Sequence, residues 1–381
     1  MSTVGTSKAS IAAFFSLFIL AVSLPPKWAT LHIAGLALVA AVGFARREDW
    51  HSAAVRTFLL CTALWLVPVL LSAGLQYSLG VGTPPDWFDL PVLVLRMLGI
   101  GLGLIVLLQR GWLTLQSVTV ALLCALSIHA GAGLIDLLTE TNVNLTAWRE
   151  LRINGLVFNP NPFGTFMAIA AILSAGLLRN HLRHPTLWIL LIVALLGVWT
   201  SGSRGAILTA AAGFVVLFPP VNRTRLFIYL VCGVLMASLY LYVSLHTPSL
   251  YNDSDSERMQ ALSFTLEKIQ MAPWIGWGIG AYENFPGRIG PQSPHNMLLD
   301  LAFNSGLPAL GAWVLSTALL ISRLRRCDHP AARLALAILV AVIMAGMTEY
   351  SILASTHFRG IWVLVTALAC YTLNERPQSC A

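Results

Sequence analysis

Apolar runs set the rhythm of this chain. They fall at about 10–24, 28–45, 57–75, 90–109, 113–138, 161–178, 185–201, 204–220, 226–246, 306–322, 331–348 and 356–373, with short polar connections between most of them. Runs of this length suit helices that cross a bilayer, where the helix satisfies its own backbone groups. The pattern predicts an all-α fold, a polytopic membrane protein with about twelve transmembrane helices. The first run follows Lys8 and is as short as a signal peptide core. No small-residue cleavage site precedes Pro25-Pro26 and a second run follows at once, so it reads as a helix.

One interval breaks the rhythm. From Thr247 to Ser305, 59 residues pass without a membrane-length apolar run. Two amphipathic helices are expected inside this loop. One covers 256–271, where Met259, Leu262, Phe264, Leu266 and Ile269 form an apolar face, and one starts at His295 after Pro294. The chain therefore divides into membrane helices over 1–246, a polar loop over 247–305, and further membrane helices with a polar C-terminus over 306–381.

Composition agrees. The chain is 57% hydrophobic and 10% charged, against about 25% charged in soluble domains, and its mean hydropathy is +0.76. In such a chain the net charge of +7 sets topology and is no sign of a nucleic-acid partner. With the N-terminus inside, 14 basic residues fall on the inner side, 8 on the outer side, and Arg96 within a span. Both termini are then cytoplasmic and the long loop external. The six cysteines avoid the loop, so no disulfide framework or metal cluster is expected there.

The candidate chemistry lies on the outer side. Arg152 in Arg-Ile-Asn-Gly, Arg204 in Ser-Arg-Gly and Arg258 in the loop stand in short polar motifs, and Arg96 lies about six residues into its span. An arginine within hydrocarbon costs several kcal/mol unless it faces protein or a hydrated cavity. Guanidinium groups converging at one membrane surface suit a lipid diphosphate. His295 is the only histidine of the loop, and at a helix start a neutral imidazole can accept a proton from an attacking hydroxyl. Asn159 and Asn161 open a span beside Pro160 and Pro162; two readings fit, helix capping and binding of sugar hydroxyls. Other motifs carry less. Asp253 and Asp255 have metal-ligand spacing but read as a solvated acidic turn, and Gly276-Trp-Gly-Ile-Gly280 lacks the strand and helix of a nucleotide loop.

Taken together, these residues resemble the O-antigen ligase and O-antigen polymerase superfamily of bacterial inner-membrane glycosyltransferases. Ligases of that family carry a His-Asn/Ser/Gln pair, then nine residues, then Gly-x-x-Gly/Thr/Tyr. Here His295-Asn296 is followed by nine residues and Gly306, with a departure at Ala309. Their loop motif Arg-x-x-x-Leu is matched by Arg258 to Leu262. The resemblance is strongest over about 150–360.

It implies about twelve spans, one large periplasmic loop with short helices, and transfer of a whole glycan from undecaprenyl diphosphate. The implied acceptor is a lipid A–core hydroxyl for a ligase, a second lipid-linked glycan for a polymerase, or a protein side chain in related enzymes. His295, Arg258 and Arg204 become the implied catalytic residues, with no metal or other cofactor. Arg152, Arg96, Asn159, Asn161, Asn296, Glu349 and Arg359 become substrate-binding candidates, and Glu349 is placed to orient an arginine or His295. A reading from another class is a lipid-linked saccharide transporter. Polar residues gathered on one face, and the lack of an internal repeat, favour the enzyme.

Overall fold

The computed structural model describes residues 45–80, 89–139, 153, 156, 159–179, 181–219, 248–283, 285–286, 293–350, 352–353 and 355–374. Over these residues the fold is helical, without a strand. In chain order the helices are α1 (Ala53–Leu79), α2 (89–109), α3 (Leu115–Thr139), α4 (Pro160–Leu178), α5 (Pro185–Thr200), α6 (Arg204–Leu217), α7 (Pro248–Met271), α8 (Met297–Arg325), α9 (Pro330–Thr348) and α10 (Thr356–Asn374). A single turn of helix, Arg47–Trp50, precedes α1.

Five of these, α1, α3, α4, α8 and α9, are long and apolar enough to cross a membrane. Apolar segments of α2, α5, α6 and α10 are shorter, at 10–17 residues. The protein is a multi-pass membrane protein in this sense. The expected spans at 10–24, 28–45 and 226–246 lie outside the described residues.

The elements end where local chemistry ends them. Ser52 Oγ accepts from the Val55 amide at 3.2 Å to cap α1, and Gly80 closes that helix in the left-handed conformation. Pro160, Pro185 and Pro330 each open a helix in its first turn, where a missing N–H costs nothing. α4 is the centre of the bundle: every residue from Phe163 to Ala175 is buried, and it packs against α5, α6, α3 and α9. α6 lies along α9, and α8 along α1.

The two ends of the bundle differ in charge. At one end, Asp49 accepts from Arg110 Nε at 2.9 Å and from the Arg46 amide at 2.7 Å, so the turn before α1 is tied to the end of α2. Arg179, Arg183, Arg323, Arg325, Arg326 and Arg333 flank helix termini at that end. The opposite end carries the residues described next.

Two features of the long loop differ from the sequence expectation. α7 starts at Pro248 rather than near 256, because nothing in Ser-Leu-Tyr-Asn-Asp stops a helix opened by proline. The helix expected from His295 and the span expected from 306 are one element, α8, broken at Gly306 (φ 81°, ψ 170°). Its cap is Asn296, whose Oδ1 accepts from the Leu298 and Leu299 amides at 2.9 and 3.2 Å, so the helix begins two residues after His295.

The break at Gly306 is filled by the loop after α7. Trp277 and Gly278 amides donate to the Phe303 and Asn304 carbonyls at 2.8 and 3.0 Å, and the Leu307 amide donates to the Pro273 carbonyl at 2.7 Å. These bonds satisfy backbone groups that a broken helix leaves open. From α1, Ser72 Oγ and Gln76 Nε2 both donate to the Ile275 carbonyl, and Gln76 also reaches the Asn304 carbonyl at 2.9 Å. A small aromatic core closes the loop, with Phe264, Trp277, Tyr282, Phe285 and Phe303 packed edge to face.

Candidate functional site

At the end of α9 the chain buries a carboxylate. Glu349 caps that helix with its side chain only 5% exposed. Each oxygen has a named neighbour. Arg258 Nη2, from α7, donates to Oε1 at 2.7 Å. Asn161 Nδ2, from the first turn of α4, donates to Oε2 at 2.7 Å. His295 Nδ1 lies 3.5 Å from Oε2, an electrostatic contact longer than a formed hydrogen bond. Arg258 and His295 remain 35% and 30% exposed, so the cluster has a buried base and a half-open rim.

Three helices and one turn hold these groups. Asn159 Oδ1 accepts from the Asn161 amide at 3.0 Å, which caps α4 and sets Asn161 facing α9. Asn296 Nδ2 donates to the Met347 carbonyl at 3.0 Å and ties the start of α8 to the last turn of α9. His295, just before this clamp, has φ 48°; among the described residues it is the non-glycine residue with positive φ. A left-handed histidine costs of order 1 kcal/mol or more and persists only when its surroundings fix it.

Arg204 arrives by packing. Ser203 Oγ accepts from the Ala206 amide at 3.2 Å and starts α6. Gly205 then presses against α9, where a Cβ would stand 2.5 Å from Thr348 Oγ1 and 3.1 Å from Glu349 Cγ. The absence of a side chain at Gly205 is what lets the start of α6 reach the carboxylate.

The electrostatics follow from the neighbours. Burial pushes the Glu349 carboxyl up, but the His295 contact and the Arg258 guanidinium outweigh it and hold the group below the ordinary carboxylate value. Next to it, burial pushes the Tyr350 phenol well above its usual value, with the Glu349 charge acting in the same sense. The phenol remains a hydroxyl; its ring stacks on Phe358 at 5.3 Å.

The other sequence candidates are placed as follows. Arg359 is 6% exposed, and its guanidinium donates to the Ile352 and Leu353 carbonyls in the turn between α9 and α10. Arg96 is 4% exposed and opens a wide π turn, Arg96–Ile100, within α2, a feature that often accompanies functional sites. Arg152 and the side chains of Asp253 and Asp255 lie outside the described residues. Two contributors stood in motifs visible in the sequence, but their roles were not readable there. Gly205 works by packing, and the docking of 273–278 on the α8 break works through backbone groups.

Residues 188–314 match the O-antigen ligase family model. Over that segment, about a third of its length, the chain is similar to the O-antigen ligase family. The matching segment runs from α5 into α8 and holds Arg204, Arg258, His295 and Gly306. Asn161 and Glu349, which complete the cluster, stand outside it. Members of the O-antigen ligase family are glycosyltransferase-like membrane enzymes. A comparison with curated proteins gives no match.

Proposed function

We propose that this protein is an O-antigen ligase-like glycosyltransferase that moves a glycan en bloc from undecaprenyl diphosphate to a lipid A–core hydroxyl. The observation that carries this reading is the meeting of Arg258 and His295, from separate elements, on the buried carboxylate of Glu349. With Nδ1 turned to Glu349, Nε2 is the ring nitrogen left to take the proton of the acceptor hydroxyl. The acceptor oxygen attacks the anomeric carbon, the bond from that carbon to the diphosphate oxygen breaks, and undecaprenyl diphosphate leaves. Negative charge grows on the leaving group, and Arg258 and Arg204 are the guanidinium groups assigned to stabilise it. Preorganised positive charge of this kind is often the largest catalytic contribution. Arg96 and Arg152 are further diphosphate contacts, Asn159, Asn296 and Arg359 support the surrounding turns, and no metal takes part.

The protein sits in this reading in the bacterial inner membrane, with both termini cytoplasmic. The cluster then faces the periplasm, because arginines collect at the other end of the bundle. A polymerase would use the same donor and cluster with a lipid-linked glycan as acceptor. The test is incubation of the purified protein in lipid nanodiscs with an undecaprenyl-diphosphate-linked glycan and lipid A–core. The expected result is a covalent glycan–lipid A product. Elongated lipid-linked glycan instead would identify a polymerase. Absence of any covalent product, with donor crossing the bilayer in vesicles, would make the protein a transporter.

A further inference from the structure

The corner between α7 and the loop that fills the α8 break exposes a large apolar surface. Trp274 is 73% exposed and Met271 is 61% exposed. Tryptophan left open in this way is unusual for an aqueous loop, and its depth can be read from its neighbours. The next residue, Ile275, has its carbonyl held by Ser72 and Gln76 of α1. Gln76 stands three residues before the end of that helix, about 5 Å along the axis at 1.5 Å per residue. The preceding residue, Pro273, has its carbonyl held by the Leu307 amide, at the start of the lower part of α8.

Both flanking helices present apolar stripes that lead to this corner. On α1, Leu60, Val67, Leu71 and Leu75 are 53%, 48%, 61% and 49% exposed at helical spacing. On α8, Leu307, Val314, Leu315 and Leu319 are 43–52% exposed. In a membrane protein such stripes face lipid, and Trp274 sits between their upper ends.

We propose that the Met271–Trp274 corner is a lipid-contact site, inserted at the headgroup and glycerol level of the leaflet that borders the Glu349 cluster. An amphipathic indole favours that depth, with its ring in the apolar layer and its N–H toward water. α7 is then held at two points: Arg258, near its middle, pairs with Glu349, and the corner holds its C-terminal end on the bilayer. The loop thereby keeps the cluster at the depth of a lipid headgroup. The assignment rests on the membrane-spanning helices and not on the proposed glycan transfer.

The experiment uses the full chain reconstituted in phosphatidylethanolamine–phosphatidylglycerol vesicles. The emission of Trp274 is obtained as the difference between wild type and Trp274→Phe, a change that keeps an aromatic ring in place. The difference emission should be blue-shifted, strongly quenched by lipids brominated near the glycerol end, and several-fold less sensitive to iodide than free tryptophan. In the unmodified chain, a phospholipid carrying a diazirine at the same depth should label the 271–275 peptide. Strong iodide quenching without bromolipid quenching, or label on α1 and α8 but not on 271–275, would overturn the proposal. Crosslinks from 271–275 to a second copy of the chain in place of lipid would overturn it as well.

Discussion

Replacing Glu349 by Gln is expected to lower glycan transfer by on the order of 10² or more, the scale lost when one preorganised electrostatic group is removed from a site. The substitution keeps size and removes the charge that Arg258, Asn161 and His295 all address. Arg258 is 35% exposed and can turn to water once its partner is neutral, and His295 loses the group that orients Nδ1. Fold and insertion should survive, since the amide can still hydrogen-bond at this position and the cation left without its partner is 35% exposed rather than buried. The pH dependence carries the same claim. The Glu349 carboxyl lies below its ordinary value, so in the folded protein it stays ionised below the ordinary carboxylate range and its contribution to transfer is lost only as the pH falls through this lowered folded-state pKa. Arg258→Gln removes one group that holds it down, and the acid limb of transfer should move to higher pH. The measurement is the transfer rate against pH for the three proteins in nanodiscs. A full rate in Glu349→Gln, or an acid limb that Arg258→Gln leaves in place, would remove Glu349 from the site.

Gly306→Ala should be the most damaging single methyl addition in α8. The backbone there, at φ 81° and ψ 170°, belongs to a region that only glycine enters freely, with roughly 1–3 kcal/mol of strain for other residues. The added methyl would also meet the Trp274 carbonyl and stand 2.9 Å from the Ile275 amide nitrogen, both backbone atoms of the docked loop. Relief requires that loop to leave the α8 break, which opens the bonds from Trp277, Gly278 and Leu307. Gly311→Ala is the control, because a methyl at that position meets nothing within 4 Å and alanine favours a helix by about 1 kcal/mol over glycine. Thermal unfolding of the two variants in detergent should separate them, with a midpoint lowered by several degrees for Gly306→Ala and unchanged or raised for Gly311→Ala. Equal midpoints would mean that the break is not held by the loop.

The helical character was legible because long apolar runs favour helices; among the described residues five of the expected spans are long and apolar enough to cross a membrane, and four others are shorter apolar helices. The long polar interval stood out against these runs. Arg258 and His295 were legible as unusual residues in that interval. Their meeting point was less so: Glu349 is supplied by a helix end far along the chain, and Asn161 by another, with no periodic pattern linking them. The asparagines illustrate the limit. Asn159 and Asn296 cap helices, as their residue type allows, whereas Asn161 in the same short motif reaches across to a carboxylate. Arg359 shows the reverse case, an outer-side arginine whose guanidinium folds back on the carbonyls of its own turn. The Gly276 to Gly280 stretch gave a misleading nucleotide-loop pattern because glycines are also what close backbone contact requires. At Gly276 a methyl would stand 2.6 Å from the Phe303 carbonyl oxygen.

The central claim is that the imidazole on the Glu349 cluster takes the acceptor proton during glycan transfer. Its most direct test is single-turnover transfer by purified His295→Ala protein in nanodiscs, with donor binding measured in parallel. The account predicts that donor is still bound, through the arginines, while covalent product falls below detection. Transfer by His295→Ala at close to the wild-type rate would contradict it.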